Sequence, residues 1–88
     1  MSMTKTLQAL SDPSRMKILE LLKKRDMSVS EIAQSFSITL PSLSHHLNIL
    51  KQVNLVTDRK KGQERIYSLN LSVFEAVAKS LLNFFKKQ

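Results

Sequence analysis

Two short helices separated by three residues constrain the fold of this chain more than any other feature. Ser28 and Glu31 have the spacing of a capping box, which predicts a helix over about 29–36. Thr39 ends the break and can cap a further helix over 40–51. The apolar side chains at helical spacing are Ile32, Ala33 and Phe36 in the first helix and Leu43, Leu47 and Leu50 in the second. Such a pair is typical of a helix-turn-helix.

Three positions of this motif, counted from Val29, have steric requirements. The fifth must be small so that the two helices can approach, and it is Ala33. The fifteenth should be apolar so that it packs back on the first helix, and it is Leu43. The ninth favours glycine for a left-handed backbone, and it is Ser37. Two of the three requirements are met.

The N-terminal part of the chain predicts two more helices. The first covers 3–10, and its apolar face consists of Met3, Leu7 and Leu10. Asp12 is a good N-cap, and Pro13 suits the first helical position because the N–H that it lacks would have no partner there. The second helix is therefore predicted from Pro13 to about residue 25.

After residue 54 the periodicity changes to that of short strands. Two strands, over 55–59 and 63–69, are predicted on either side of a 60–62 connection that contains the only glycine. Ser72 and Glu75 have the spacing of a second capping box, which predicts a last helix from there to about residue 86.

The predicted fold class is mainly α with a small β-hairpin, a winged helix-turn-helix of order ααααββα with room for a minimal strand at 27–28. No linker or repeat divides the sequence, so we expect a single domain over 1–88. A chain of 10.1 kDa buries only about 60–65% of its unfolded surface, and without Cys no disulfide or thiolate-bound metal can support its core. We therefore expect an oligomer.

The charge balance predicts a polyanionic partner. Fourteen Lys and Arg against seven Asp and Glu give a net charge of +7, hence +14 for a homodimer (2 × 7), with a pI of about 10.1. Nucleic acid is the leading candidate, and an anionic membrane surface is the second. No apolar stretch approaches the ~20 residues of a membrane span, and no signal peptide is recognised, so a cytoplasmic protein is expected.

The helix over 40–51 and the hairpin carry the residues expected at DNA. Because the leucine row faces the core, Ser44, His45 and Asn48 point outward and are predicted to contact base edges. The predicted DNA-binding residues are Thr39, Leu40, Pro41, Ser42, Ser44, His45, Asn48 and Lys51 of the helix, and Arg59, Lys60, Lys61, Gln63 and Arg65 of the hairpin. Each of these roles has an alternative. Ser42 and Ser44 would be ordinary exposed serines, and Leu40 would make a hydrophobic contact near the helix start. His45 would be an inert surface residue, and the charged hairpin tip would simply be solvated. His46 is predicted to be structural and partly buried.

The last helix is apolar over more than one stripe, so it predicts a dimer contact with the first helix. The predicted interface residues are Met3, Leu7, Leu10, Phe74, Val77, Leu81, Leu82, Phe84 and Phe85. A helix buried all round within a monomer is one alternative. A membrane-surface helix ending in Lys86 and Lys87 is another.

Three segments carry a family resemblance: ALSDPSRMKIL at 9–19, SLSHHLNIL at 42–50 and YSL at 67–69. Together with the predicted elements they resemble the ArsR-type winged-helix transcriptional repressors, and among these the compact, metal-independent autorepressors. The resemblance covers nearly the whole chain. It implies a dimeric repressor that binds a partly palindromic operator, with the terminal helices forming the dimer contact.

The departures from the family pattern exclude a known metal site. Where metal-sensing members have a Cys-x-Cys pair, this chain has hydroxyls at Ser28 and Ser30, and its last helix has Glu75 as the only carboxylate and no His. No metal and no cofactor are therefore expected. Leu40 stands where many relatives have Gln, so the family's base preference cannot be carried over.

The sequence thus predicts a sequence-specific dimeric repressor of double-stranded DNA, autoregulatory and not metal-responsive. The alternative is a winged-helix interaction module whose basic face binds an acidic partner protein. An enzyme is not expected, because no Cys nucleophile, glycine-rich phosphate loop or Ser-His-acid spacing is present. The sequence does not distinguish three possible causes of release from DNA: a regulatory protein, a small molecule bound between subunits, or a change in protein level.

Overall fold

The structure, a computed structural model, describes residues 2–86. Its helices are α1 (Met3–Leu10), α2 (Pro13–Lys24), α3 (Val29–Ser35), α4 (Leu40–Gln52) and α5 (Leu71–Lys86). Its strands are β1 (Met27–Ser28), β2 (Val56–Lys61) and β3 (Glu64–Leu69). The predicted order is confirmed, including the minimal strand. Lys87, at the end of the membrane-surface alternative, lies outside the described residues.

The starts of α2 and α3 are set by the caps that the sequence predicts. The Asp12 carboxylate accepts hydrogen bonds from the backbone N–H groups of Ser14 (2.8 Å) and Arg15 (3.1 Å). At α3 the Glu31 N–H donates to Ser28 Oγ (3.2 Å), and the Ser28 N–H donates to Glu31 Oε1 (3.0 Å), which is the reciprocal capping box. These bonds lower the pKa of both carboxyl groups, Asp12 chiefly through the Arg15 N–H and Glu31 chiefly through the Ser28 N–H.

Helix α4 is closed at both ends by local hydrogen bonds. Thr39 Oγ1 accepts from the Ser42 N–H at 3.3 Å, which confirms the predicted cap. At the other end Asn54 has a left-handed backbone (φ 61), and the Leu55 N–H donates to the Leu50 carbonyl at 3.0 Å. This is the pattern of a Schellman motif, and Leu50 and Leu55 are both fully buried beneath it.

The sheet is antiparallel with the order β1-β3-β2. Strands β2 and β3 pair from Val56↔Leu69 out to Lys61↔Glu64, so the connection consists of Gly62 and one further residue. The predicted 60–62 connection was therefore wrong, because a two-residue turn lets the ladder continue to Lys61. Gly62 adopts φ 63, a left-handed value that a side chain would disfavour.

The core lies between α1, α2, α3, α4 and the sheet. It contains Ala9, Ile18, Leu19, Leu22, Met27, Ile32, Leu43, Leu47, Leu50, Leu55, Val56 and Tyr67. The predicted leucine row of α4 is confirmed, since Leu43, Leu47 and Leu50 are at most 1% exposed. On α1, by contrast, Thr6 and Ala9 are the buried residues.

The start of α5 differs from the prediction. The helix begins at Leu71, so Ser72 lies inside its first turn and is exposed rather than acting as the N-cap. Asn70 precedes the helix, and its carbonyl accepts hydrogen bonds from the N–H groups of Val73 (3.1 Å) and Phe74 (3.3 Å). The last strand residue, Leu69, therefore leads into α5 with a single residue between them.

Candidate nucleic-acid interface

Helices α3 and α4 form the helix-turn-helix, joined by residues 36–39. Leu43 is fully buried and Ala33 packs against the same core, as the motif requires. Ser37 does not take the left-handed backbone for which glycine is favoured, since Asn54 is the only non-glycine residue of positive φ in the described part of the chain. The missing glycine is therefore not a defect of this motif.

The outward face of α4 presents a row of polar side chains. Ser44, His45 and Asn48 are exposed, as is Pro41 one turn earlier. Leu40 is 59% exposed at the first turn, and Ser42 is half-buried beside it. The N-terminal N–H groups of a helix also attract phosphate, and Thr39 is exposed at that end. The structure therefore places Pro41, Ser44, His45 and Asn48 on one exposed side of α4, whereas Ser42 is only partly accessible.

The two adjacent histidines have different environments. His45 is exposed, whereas His46 is half-buried with its Nδ1 atom 3.2 Å from Arg15 NH1. Because a guanidinium can only donate, Nδ1 accepts in this contact. The prediction that His46 has a structural role agrees with this placement.

Arg15 links three helices, a role that the sequence did not predict. Its Nε donates to the Ala9 carbonyl at 2.8 Å and its NH2 donates to the Gln8 carbonyl at 3.2 Å, while NH1 contacts His46. The side chain of Arg15 therefore connects the C-terminus of α1, α2 and α4. The only signal in the sequence was its place after the Asp12 cap.

The wing is defined as the β2–β3 hairpin, residues 56–69. One of its two faces contacts α4, and the other does not carry that contact. Side chains alternate along a strand, and paired residues share a face. Lys60 and Arg65 are paired, so they share the face of Asp58, which contacts α4. Arg59 and Lys61 lie on the opposite face.

Most of the predicted cations are held in ion pairs. Lys51 and Arg65 both contact Asp58, at 2.9 and 3.4 Å. Arg59 contacts Asp26 at 3.1 Å and also donates to Ser68 Oγ at 3.1 Å.

Within residues 2–86, Lys60 and Lys61 are exposed and have no ion pair. Sequence analysis missed the acidic partners, although Asp58 shares the strand face of buried Val56.

A buried tyrosine, Tyr67, lies beside the Asp58 carboxylate in the wing. Tyr67 pairs with Asp58 across the hairpin and is 8% exposed. Burial raises the pKa of the Tyr67 hydroxyl, and the Asp58 carboxylate raises it further. The tyrosine is therefore neutral at physiological pH.

The predicted dimer residues divide into two groups. A groove of about 600 Å³ between α1 and α5 is lined by Met3, Leu7, Ser80, Leu81, Phe84 and Phe85. Leu82 is 57% exposed nearby on α5. Val77 corrects the prediction, because it is only 5% exposed within its own chain. Leu10 and Phe74 also pack partly against their own core.

The described part of the chain has neither a cluster of metal-ligating side chains nor a membrane-spanning helix. Among residues 2–86, no group of three His, Cys, Asp or Glu side chains could hold a metal ion. None of the helices described has the length and hydropathy that crossing a membrane requires.

Comparison with known proteins gives consistent matches. The model of the arsR family of bacterial regulatory proteins matches residues 12–58. The chain is 49% identical over 85 residues to the transcriptional repressor SdpR of Bacillus subtilis, covering 97% of this chain and 94% of that one. An ArsR-like transcriptional regulator from Rhodococcus sp. RHA1 has a TM-score of 0.90 at 28% identity, covering 97% of this chain and 80% of that one.

A further structural match shows an assembly. The homodimeric winged helix-turn-helix DNA-binding domain of a possible ArsR-family regulator from Mycobacterium bovis has a TM-score of 0.77 at 26% identity. The match covers 94% of this chain and 78% of that domain. The first two proteins are transcriptional regulators and the third is a possible one, a class without enzymatic activity, as the sequence predicted.

Proposed function

This chain belongs to the arsR family of bacterial regulatory proteins, and on that premise we propose that it is a dimeric, sequence-specific repressor of its own promoter. It is a DNA-binding transcriptional repressor of the kind represented by SdpR. We further propose that it acts in the cytoplasm as a single domain. Repression follows because a protein bound across a promoter excludes RNA polymerase.

One observation carries the proposal: the polar face of α4 and the basic face of the wing adjoin each other. Lys51 at the end of α4 reaches Asp58 on β2, so the exposed row of α4 continues into Lys60 and Arg65. An α-helix fits the major groove, where side chains meet base edges. Cations beside it meet the phosphate backbone.

The dimer is supported by the apolar groove between α1 and α5. Phe84 and Phe85 are 71 and 68% exposed, and their rings pack edge to face with 5.2 Å between the ring centroids. Packing against a second copy would remove this apolar surface from water, and a two-fold axis makes the same patch serve both subunits. Two recognition helices about 34 Å apart then match half-sites one helical turn apart on a partly palindromic operator.

Independence from metal is supported by the residues at the expected ligand positions. Ser28 and Glu31, in the segment where metal-sensing members have thiolates, are engaged with each other in the α3 cap. Hydroxyl groups are poor ligands for transition metals. The chain therefore does not fit a metal there, and we propose no cofactor.

The alternative of a module that binds an acidic protein is not supported by the comparisons. Its surface would present aromatic or aliphatic anchors, whereas α4 presents Ser44, His45 and Asn48. The names of the similar proteins mention no regulatory partner protein, and we propose none.

The decisive test is fluorescence anisotropy of a labelled duplex from the protein's own promoter against a scrambled duplex, over a salt series. We expect about a thousandfold preference for the promoter duplex and a steep salt dependence. Equal, weak binding to both duplexes would refute autoregulation. A selection from genomic DNA would then separate an operator elsewhere from a protein that does not recognise sequence.

A further inference from the structure

Asp58 lies on β2 of the wing and contacts both α4 and β3. Its Oδ1 atom lies 2.9 Å from Lys51 Nζ on α4, and its Oδ2 atom lies 3.4 Å from Arg65 Nε on β3. The Asp58 side chain is 9% exposed, whereas those of Lys51 and Arg65 are 49 and 55% exposed. Two half-exposed cations from different elements thus meet at one nearly buried anion.

This arrangement differs from the other ion pair of the wing. Asp26 and Arg59 are 47 and 57% exposed, and a pair of that kind is hydrated and contributes little. The carboxylate of Asp58 has lost most of its hydration, so its cationic partners must compensate for it. Movement of the wing away from α4 would separate Asp58 from Lys51, whereas Arg65 lies on the same hairpin as Asp58 and would move with it. The Lys51 contact therefore restricts the two elements to one arrangement.

Both cations keep donors for a further partner. A lysine ammonium has three N–H groups, of which one faces Asp58. Arg65 approaches Asp58 through Nε, which leaves its two terminal nitrogens for an anion outside the protein. A phosphate can be held by such nitrogens in a bidentate contact.

We propose that Asp58 is a positioning residue for DNA recognition, which holds Lys51 and Arg65 as one phosphate-contacting unit and sets the distance between α4 and the wing. This inference rests on the proposed function and deepens it. If Asp58 only neutralised positive charge, its removal would strengthen binding to all DNA. Positioning predicts instead that removal weakens binding to the operator relative to random DNA.

The test compares Asp58→Asn with Asp26→Asn, which removes the same charge from the other ion pair of the wing. Anisotropy is measured on the promoter and scrambled duplexes. For Asp58→Asn we expect tighter binding to the scrambled duplex and a preference for the promoter that falls about tenfold. For Asp26→Asn we expect both affinities to rise together and the preference to stay unchanged. The same behaviour in the two variants would overturn the proposal.

Asp58→Glu keeps the charge and moves the carboxylate by one methylene group, so it decides the question if Asp58→Asn does not fold. We expect its affinity for scrambled DNA to match wild type while its preference for the promoter falls. Thermal unfolding establishes that each variant is folded. An unchanged preference in Asp58→Glu would contradict a role in positioning.

The wild-type chain separates this proposal from the proposed function. Wild-type binding that favours neither duplex would refute autoregulation, the part of the proposed function on which the promoter duplex depends. Asp58 is then judged without DNA, from the NMR signal of the Arg65 side-chain N–H at Nε. We expect that signal to shift and broaden in Asp58→Asn and to be preserved in Asp26→Asn. An unchanged signal in Asp58→Asn would overturn the positioning role.

Discussion

Helices α4 and α5 both have apolar residues at helical spacing, yet these residues end in opposite environments. On α4, Leu43, Leu47 and Leu50 are at most 1% exposed, because α2, α3 and β2 enclose that side. On α5, Leu82 and Phe84 are 57 and 71% exposed. An apolar row therefore predicts that a surface is to be covered, but not what covers it. In one region the chain covers itself, and in the other we expect a second copy.

The largest effect should come from Leu47→Ala, which tests the self-covered region. The cavity it leaves should reduce the free energy of unfolding by about 2–5 kcal/mol. Urea denaturation at two protein concentrations checks this, with Leu82→Ala as the control on α5. The loss in Leu47→Ala should be the same at both concentrations, whereas that in Leu82→Ala should depend on concentration. A concentration-dependent loss in Leu47→Ala would remove the distinction between the regions.

Leu81→Glu tests the other region. Leu81 lines the groove between α1 and α5, so a carboxylate there would be buried in a dimer, and we expect the dimer to dissociate. Sedimentation should give the monomer mass. Asn83→Glu is the matched control, since residue 83 is exposed about 200° around α5 from Leu81. An unchanged mass for Leu81→Glu would refute the assigned interface.

Asn48→Ala sharpens the comparison on the outward side of α4. We expect a loss of roughly 1–3 kcal/mol on the promoter duplex and little change on scrambled DNA, because Asn48 is exposed among the predicted base-contacting residues. Anisotropy measures both affinities, and sedimentation should show an unchanged dimer. Gln52→Ala, at an exposed position of the same helix that is not predicted to contact DNA, is the control. Equal losses on the two duplexes would refute a role in sequence recognition.

Lys60 and Lys61 should differ although they are neighbours. Lys60 shares the α4 side of the wing with Arg65, and Lys61 faces away. Lys60→Ala should weaken binding to all DNA and reduce the log–log salt slope by about 0.9 per lost phosphate contact. Lys61→Ala should reduce it less. If the two slopes change equally, both faces of the wing contact DNA.

The smallest effect at neutral pH is expected for Asp12→Asn, in the N-terminal cap of α2. Asn caps a helix as well as Asp does, so stability near pH 7 should change little. The pKa of Asp12 is lowered in the folded chain, chiefly by the Arg15 N–H. Its contribution is therefore present above the unfolded pKa of ~3.9 and is lost as the pH falls through the lower folded value.

Thermal unfolding from pH 6 to pH 2 checks this prediction. Wild type should lose more stability than Asp12→Asn below about pH 4. Parallel curves for the two proteins would show that the hydrogen bonds to Asp12 do not depend on its charge.

The elements and the outward face of α4 could be predicted because their determinants are close in the sequence. Asp12, Ser28 and Thr39 cap helices through residues two or three positions away. The spacing of the leucine row places His45 outside and His46 partly inside. Such signals act within one or two turns of helix and need no knowledge of the rest of the molecule.

The tertiary structure decided which side of each element is used. Lys51 and Arg65 meet Asp58, and Arg15 meets His46 at a separation of 31 residues, so these contacts form only after the elements pack. Packing likewise buried Val77 and left Phe84 exposed. Periodicity determines that a helix has an apolar side or a strand has two faces. The neighbours of each side depend on the path of the whole chain, which no local pattern specifies.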